Sequence, residues 1–121
     1  MRFEDLEVWK RATRLSGNIY KELRGLKDYG FKDQITRSGL SIVSNIAEGF
    51  ERGSQRENIM FLSYAKGSSG ELRTQIYIGV DIGYVDKTLG SEWLKEAREI
   101  SSMLSGLIKT KRSFLKNSKR L

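Results

Sequence analysis

Apolar residues recur at steps of three and four along four stretches of the chain, and no stretch alternates apolar and polar positions for long. The first spacing places one apolar face on an α-helix, whereas half-buried strands need the second. The pattern predicts helices over residues 5–26, 31–52, 54–83 and 91–115, joined by short loops. Because short loops leave little reach for crossovers, we predict an all-α, antiparallel up-down-up-down four-helix bundle.

The same spacing names the expected core. The first and fourth helices contribute Trp9, Ala12, Ser16, Ile19, Leu23 and Leu26, and Trp93, Ala97, Ile100, Leu104, Leu107 and Phe114. The third contributes Leu62, Ala65, Ser69, Leu72, Ile76 and Val80. The second has two adjacent lines, Ile35, Gly39, Ile42, Ile46 and Gly49 on one and Leu40, Val43, Ala47 and Phe50 on the other. Two lines cover about half of a helix, so we expect the second helix to contact more than one neighbour.

Glycine and capping residues refine the helix ends and contacts. Gly53 followed by Ser54 and Glu57 predicts a helix stop and then a capping box. Gly39, Gly49 and the small residues 67–70 fall inside predicted helices, where each glycine costs about 1 kcal/mol relative to Ala. We expect close approach of helix backbones to offset that cost.

A length of 121 residues fits one core, and we expect a bundle over residues 1–115 followed by a basic tail over residues 116–121. The formal net charge is +7, from 22 basic and 15 acidic residues, which favours an acidic partner. The excess lies in two basic islands. The first, on one side of the first helix, is Lys10, Arg14, Lys21 and Arg24. The second is Lys109, Lys111, Arg112, Lys116, Lys119 and Arg120, with no acidic residue among them.

Both islands are candidate nucleic-acid-binding residues. Clustered cations of this kind suit a phosphate backbone, with strong salt dependence and no reading of bases. Two structural interpretations stay open beside this one. The first island is also typical of a solvated helix face, and cations at the end of the fourth helix also complement its macrodipole.

The residue types that are absent exclude several kinds of chemistry. With no Cys and no His, the chain has no thiol nucleophile, no disulfide, no Cys/His zinc site and no Ser-His-Asp triad. The start of the chain is acidic where a secretory signal is apolar, and the longest run without charge, residues 38–47, is too short to span a bilayer. We expect a cytoplasmic protein without membrane contact, metal or cofactor.

A polar strip on the second helix is the remaining candidate for chemistry. It consists of Arg37, Ser41, Ser44, Asn45, Glu48 and Arg52, next to Gly49. Glu48 can reach Ser44 and Arg52 at four-residue spacing. A carboxylate beside an arginine is typical of an ionised structural pair rather than a general base. We therefore predict a structural or interface network and no catalytic residue, with a metal-dependent nuclease kept as an alternative that lacks a clear carboxylate cluster.

Three motifs resemble a known family. They are Phe3-Glu4-Asp5-Leu6-Glu7-Val8-Trp9-Lys10, Ser44-Asn45-Ile46-Ala47-Glu48-Gly49 with Arg52, and Gly67-Ser68 followed by Glu71-Leu72. In this order they are similar to the bacterial four-helix-bundle proteins encoded in intervening sequences of 23S rRNA genes, sometimes labelled as a ribosomal protein. The resemblance covers roughly residues 3–85. This chain lacks the prolines that the family often has near the second helix, and Val43 can continue a helix without strain.

The resemblance implies an up-down bundle that assembles as a ring-like homopentamer without known catalytic activity. Related proteins accompany reverse transcriptases in diversity-generating retroelements, which implies a reverse transcriptase as a possible partner. The leading hypothesis is thus a non-enzymatic homo-oligomer whose basic surfaces bind RNA, DNA or a nucleic-acid-handling protein. A protein-protein adaptor without nucleic-acid binding is the alternative.

Overall fold

A computed structural model describes the backbone of residues 2–120 and the side chains of residues 2–117. A short 3-10 helix, Phe3–Asp5, precedes four α-helices. These are α1 (Glu7–Glu22), α2 (Tyr29–Glu51), α3 (Gln55–Asp81) and α4 (Lys87–Arg120). Each helix packs against two others in the order α1, α2, α3, α4 and back to α1. The predicted all-α four-helix bundle is confirmed.

The helix ends follow local hydrogen bonds. Ser54 caps α3 as predicted, because its hydroxyl oxygen accepts from the backbone N–H of Glu57 at 3.2 Å. Asp28 caps α2 in the same way, accepting from Phe31 N–H at 3.1 Å. The predicted start of the fourth helix at residue 91 is too late. Asp86 caps α4 by accepting from the N–H groups of Thr88 and Leu89 at 3.1 and 3.2 Å.

Two other predicted bounds are also wrong. The first helix ends at Glu22 rather than residue 26, and a turn follows in which Leu26 N–H donates to the carbonyl of Leu23 at 3.0 Å. The fourth helix continues through residues 116–120 rather than ending near 115. The segment expected as a tail thus continues the helical backbone.

The core lies along the bundle axis and is formed by most of the predicted positions. The side chains with no more than 4% exposure include Val8, Ala12, Leu15, Ile19, Leu23, Ile35, Ile42, Ile46, Leu62, Ala65, Leu72, Ile76, Trp93, Ala97, Ile100 and Leu104. Val8 and Leu15 are core residues outside the predicted seam of the first helix. Phe114, predicted as core, is 60% exposed. Lys111 already contacts the first turn of α3, so Phe114 lies beyond the end of that neighbouring helix.

Gly49 allows two helices to approach more closely than a side chain would, as expected, whereas Gly39 lies against α1 at an ordinary contact distance. A Cβ atom on Gly39 would lie 3.6 Å from Ser16 Oγ on α1, and one on Gly49 would lie 3.1 Å from Phe61 Cβ on α3. The expectation fails for Gly67, because no heavy atom of a neighbouring residue lies within 4 Å of the corresponding position. In that segment the contacts come from two serines. The hydroxyl of Ser68 lies 2.9 Å from that of Ser41 on α2, and the buried hydroxyl of Ser69 donates to the carbonyl of Ala97 on α4 at 3.0 Å.

The second apolar line of α2 is only partly covered. Leu40 is 47% exposed, while Val43, Ala47 and Phe50 are partly buried. Among the described residues, no helix is long and apolar enough to cross a membrane.

Candidate nucleic-acid interface

An open groove of about 680 Å³ runs between the outer sides of α3 and α4. Five cations line it, Lys66, Arg73, Lys109, Arg112 and Lys116, together with the small residues Ser63, Gly67, Ser105 and Ser113. None of the described residues that line it carries a carboxylate. Small residues on both helices keep the floor open between the long basic side chains, so that the cations surround a concave surface.

The charges of the groove are not neutralised by neighbouring acids. Across residues 2–117, none of the five cations takes part in an ion pair within 4.0 Å. Arg73 is held along α3 by a hydrogen bond of 3.3 Å from its Nε to the carbonyl of Ser69. One of its terminal guanidinium nitrogens, Nη2, lies 3.7 Å from the position that a Cβ atom on Gly70 would take. An anion entering the groove therefore has no protein carboxylate to displace.

The opposite side of α4 is acidic. Glu92 and Glu96 line a cavity between α4 and α1. Arg11 of α1 donates from Nε to Glu96 at 2.7 Å and pairs with Glu99 at 3.2 Å. The pKa of Arg11 is raised above its ordinary value, mainly by its hydrogen bond to Glu96. Glu92, Glu96 and Glu99 thus lie on the α1 side of α4, and Lys109, Arg112 and Lys116 lie on its α3 side.

The second island is divided by the helical geometry. Lys109, Arg112 and Lys116 line the groove. Lys111 lies elsewhere, with its Nζ 3.3 Å from Asn58 Oδ1, 3.4 Å from Gln55 Oε1 and 4.7 Å from the centre of the Phe50 ring. Burial lowers the pKa of Lys111 below its ordinary value. The side chains of Lys119 and Arg120 lie outside the described residues.

Sequence reasoning did not include Lys66 and Arg73 in the interface. They are seven residues apart, which is two helical turns, so they share one side of α3. This spacing is visible in the sequence. What it does not reveal is that this side of α3 lies beside the basic side of α4.

The first island does not join the groove, since no residue of α1 lines it. Lys10, Arg14, Lys21 and Arg24 are all exposed. Arg14 lines the cavity that also contains Glu22, Glu92 and Glu96, where the carboxylates offset its charge.

The polar strip on α2 makes contacts within the chain. Arg52 donates to Glu48 at 2.6 Å, pairs with Glu57 at 3.4 Å and lies 4.9 Å from the centre of the Phe61 ring. The hydrogen bond to Glu48 raises the pKa of Arg52 above its ordinary value. Arg37 pairs instead with Asp33 at 3.2 Å, and within the described part of the chain no hydrogen bond joins Glu48 to Ser44, which is exposed.

The remaining polar residues of the strip tie α2 to α3. Asn45 donates to the carbonyl and hydroxyl oxygens of Ser41 at 2.9 and 3.1 Å, and the Ser41 hydroxyl lies 2.9 Å from that of Ser68. Gly49 is buried, and its carbonyl oxygen accepts a hydrogen bond from the side-chain amide of Asn58. Among the described residues, no three acidic side chains form a group suited to holding a metal ion.

The fold and the groove together define a helical-bundle protein with one cationic flank. The family model described as "23S rRNA-intervening sequence protein" matches residues 4–106. The chain belongs to this family. The groove cations of α4, which begin at Lys109, lie beyond the matched region.

A solved structure has a similar fold. It is a protein of unknown function from the S23 ribosomal protein family of Bacteroides thetaiotaomicron, with 25% sequence identity and a TM-score of 0.79. The similarity covers 84% of this chain and 98% of that one. No curated protein matches the sequence.

Proposed function

We propose that this protein is a non-enzymatic, homo-oligomeric protein that binds the sugar-phosphate backbone of RNA or DNA in the groove between α3 and α4. The observation that carries this proposal is a set of five cations around one concave surface, which among residues 2–117 have no carboxylate as ion-pair partner or groove neighbour. A phosphate entering there gains several charge-assisted hydrogen bonds, and each arginine can hold two of its oxygens.

Binding of this kind is governed by counterion release. Each phosphate neutralised by Lys or Arg frees condensed cations, so affinity falls steeply as salt is added. The groove offers charges and small hydroxyl residues rather than a helix or ribbon that could enter a DNA groove to read base edges. We therefore expect affinity that depends on salt and is nearly independent of sequence.

Self-association is the second part of the proposal. It is supported by the partly uncovered second apolar line of α2, with Leu40 at its most exposed point, and by the ring-like homopentamer that the family resemblance implies. An oligomer multiplies the groove, so weak contacts at each subunit combine into useful avidity.

The decisive experiment compares two charge-matched triple variants. The groove variant carries Lys109→Gln, Arg112→Gln and Lys116→Gln, and the control carries Lys10→Gln, Lys21→Gln and Arg24→Gln on α1. Both remove three positive charges. Fluorescence anisotropy with labelled RNA and DNA at low salt should give at least about a tenfold weaker affinity for the groove variant than for the control. An equal loss of affinity in the two variants would mean that binding depends on the net charge of the protein and not on the groove.

An adaptor function is the second candidate, because α3 also exposes Met60 (40%) and Tyr64 (52%) at its surface. Light scattering coupled to size-exclusion chromatography, with absorbance at two wavelengths, separates the two functions. An oligomer that sheds bound nucleic acid at high salt supports the proposal. An oligomer that never binds nucleic acid supports the adaptor.

A further inference from the structure

An exposed aromatic side chain lies on the same side of α3 as the groove cations. Tyr77 is 54% exposed and follows Arg73 by four residues, so the two side chains are neighbours on one face of the helix. The hydroxyl oxygen of Tyr77 accepts a hydrogen bond of 2.5 Å from the guanidinium of Arg98 on α4. Both helices therefore hold the ring at their seam.

Arg98 extends the cationic surface along α4. It precedes Lys109 by eleven residues, which is three helical turns, so it lies on the same side of the helix. From Arg98 to Lys116 the helix rises about 27 Å. Within residues 2–117 no carboxylate pairs with Arg98. Arg98 thus extends the row of cations on α4 beyond the groove, to the seam where Tyr77 lines a second cavity together with Lys87 and Asp81.

This combination distinguishes single strands from duplexes. A duplex presents its phosphates on the outside and keeps its bases paired and stacked within, so an exposed tyrosine beside the phosphate path gains little from it. A single strand offers phosphates and free base faces together, and proteins that bind single strands combine a basic groove with aromatic rings on which bases stack.

We infer that the seam between α3 and α4 binds single-stranded nucleic acid, with phosphates on the groove cations and a base stacked on Tyr77. The inference rests on the proposed function and adds to it the strandedness of the ligand and a residue outside the basic islands. Arg98 is a positioning residue in this site, because its hydrogen bond to the Tyr77 hydroxyl holds the ring in place.

The test uses the full-length chain and unstructured oligonucleotides of about 16 nucleotides, as single-stranded RNA, single-stranded DNA and the corresponding duplex. Wild type should bind both single strands more tightly than the duplex. Tyr77→Ala should weaken single-strand binding at least about fivefold and leave duplex binding unchanged. Tyr77→Phe keeps the ring but loses the hydrogen bond from Arg98, so its affinity should lie between that of wild type and that of Tyr77→Ala.

Tyr64→Ala is the matched control, because Tyr64 is also an exposed tyrosine of α3, but its ring packs edge to face against Phe61, whereas the ring of Tyr77 meets Arg98 of α4. Circular dichroism checks that each variant is folded. Equal affinity for single strand and duplex, or an unchanged affinity in Tyr77→Ala, overturns this inference while leaving the proposed function in place. Absence of binding to all three ligands overturns both. Equal binding of the RNA and DNA strands supports recognition through phosphates and base faces, and preference for RNA supports an added contact to the 2′-hydroxyl.

Discussion

The ammonium nitrogen of Lys111 lies 3.3 Å from the side-chain oxygen of Asn58, and the amide nitrogen of the same Asn58 donates to the backbone carbonyls of Gly49 and Arg52, the latter at 3.1 Å. One buried amide thereby joins the end of α2, the first turn of α3 and the last third of α4. Lys111 has a different task from the cations on either side of it in the sequence.

Replacing Lys111 should affect stability more than binding. Lys111→Met keeps the apolar stem over Phe50 but leaves the amide oxygen of Asn58 without its charged donor, which should lower the free energy of unfolding by about 1 kcal/mol. Urea denaturation at a fixed protein concentration measures this. Lys109→Met is the matched control and should weaken nucleic-acid binding without destabilising the fold. The structural role of Lys111 is contradicted if the two variants bind nucleic acid equally weakly and Lys111→Met is as stable as wild type.

Adding a methyl group to two helical glycines should have opposite effects. In Gly49→Ala the new Cβ would lie 3.1 Å from Phe61 Cβ and 3.3 Å from the carbonyl oxygen of Asn58. Since both neighbours belong to the packed start of α3, we expect a loss of about 1 kcal/mol despite the better helix propensity of Ala. Gly17→Ala meets no neighbour within 4 Å and should gain up to about 1 kcal/mol. Thermal unfolding of both proteins tests the pair, and stabilisation of Gly49→Ala would contradict the close approach.

Asp28 should make the fold sensitive to acid. Hydrogen bonds from Phe31 N–H and from the Tyr84 hydroxyl, at 3.1 and 2.8 Å, hold the pKa of Asp28 below its ordinary value of 3.8. Because the folded-state pKa is the lower one, this stabilisation is complete above the ordinary value and is lost as the pH falls through the folded-state value. Asp28→Asn keeps a capping oxygen but removes the titration, so its free energy of unfolding should fall less between neutral pH and about pH 3. An identical acid-side loss in both proteins would refute this role.

The groove should dominate the salt dependence of binding. Each cation that neutralises a phosphate contributes about 0.7 to 0.9 to the slope of log affinity against log salt concentration. Removing Lys109, Arg112 and Lys116 as Gln variants should therefore flatten the slope by about 2 to 3. Titrations over a range of salt concentrations measure this. A slope unchanged in the groove variant but flattened in the α1 control would move the interface to the first island.

The apolar periodicity was sufficient to predict the four helices and most of the core, because each helix is long and has a well-defined buried face. It was insufficient where a capping residue decides the start of a helix, or where the lack of a neighbouring helix leaves an apolar side chain exposed. The start of α4 depends on Asp86, which lies in a segment whose Gly83 and Gly90 suggest only a turn. Phe114 has the spacing of a core residue, yet it extends past the helix that would cover it.

Only some residues of the groove lining could be predicted from the sequence, because the lining also depends on which helices are neighbours. The second island was defined by composition, and composition ignores the direction of side chains. Lys109 and Lys111 are two residues apart, so they point about 200° from each other around α4. Lys66 and Arg73 could be recognised as groove residues only once α3 was placed beside α4. To predict a groove between two helices, one must know which residues share a side of each helix and which helices are neighbours. The sequence indicates the shared sides more readily than the neighbours.

The division of α4 into an acidic side and a basic side has a consequence for how the protein meets a polyanion. Two opposed rows of charge on one helix create a dipole across the bundle, perpendicular to the helix axis. In the field of a nucleic acid the charges of α4 would turn the α3–α4 side forward, against the opposing pull of the four exposed cations of the first island. If the protein binds nucleic acid as proposed, encounters would be productive more often than random orientation allows, and their rate, as well as the final affinity, would decline as salt screens the field.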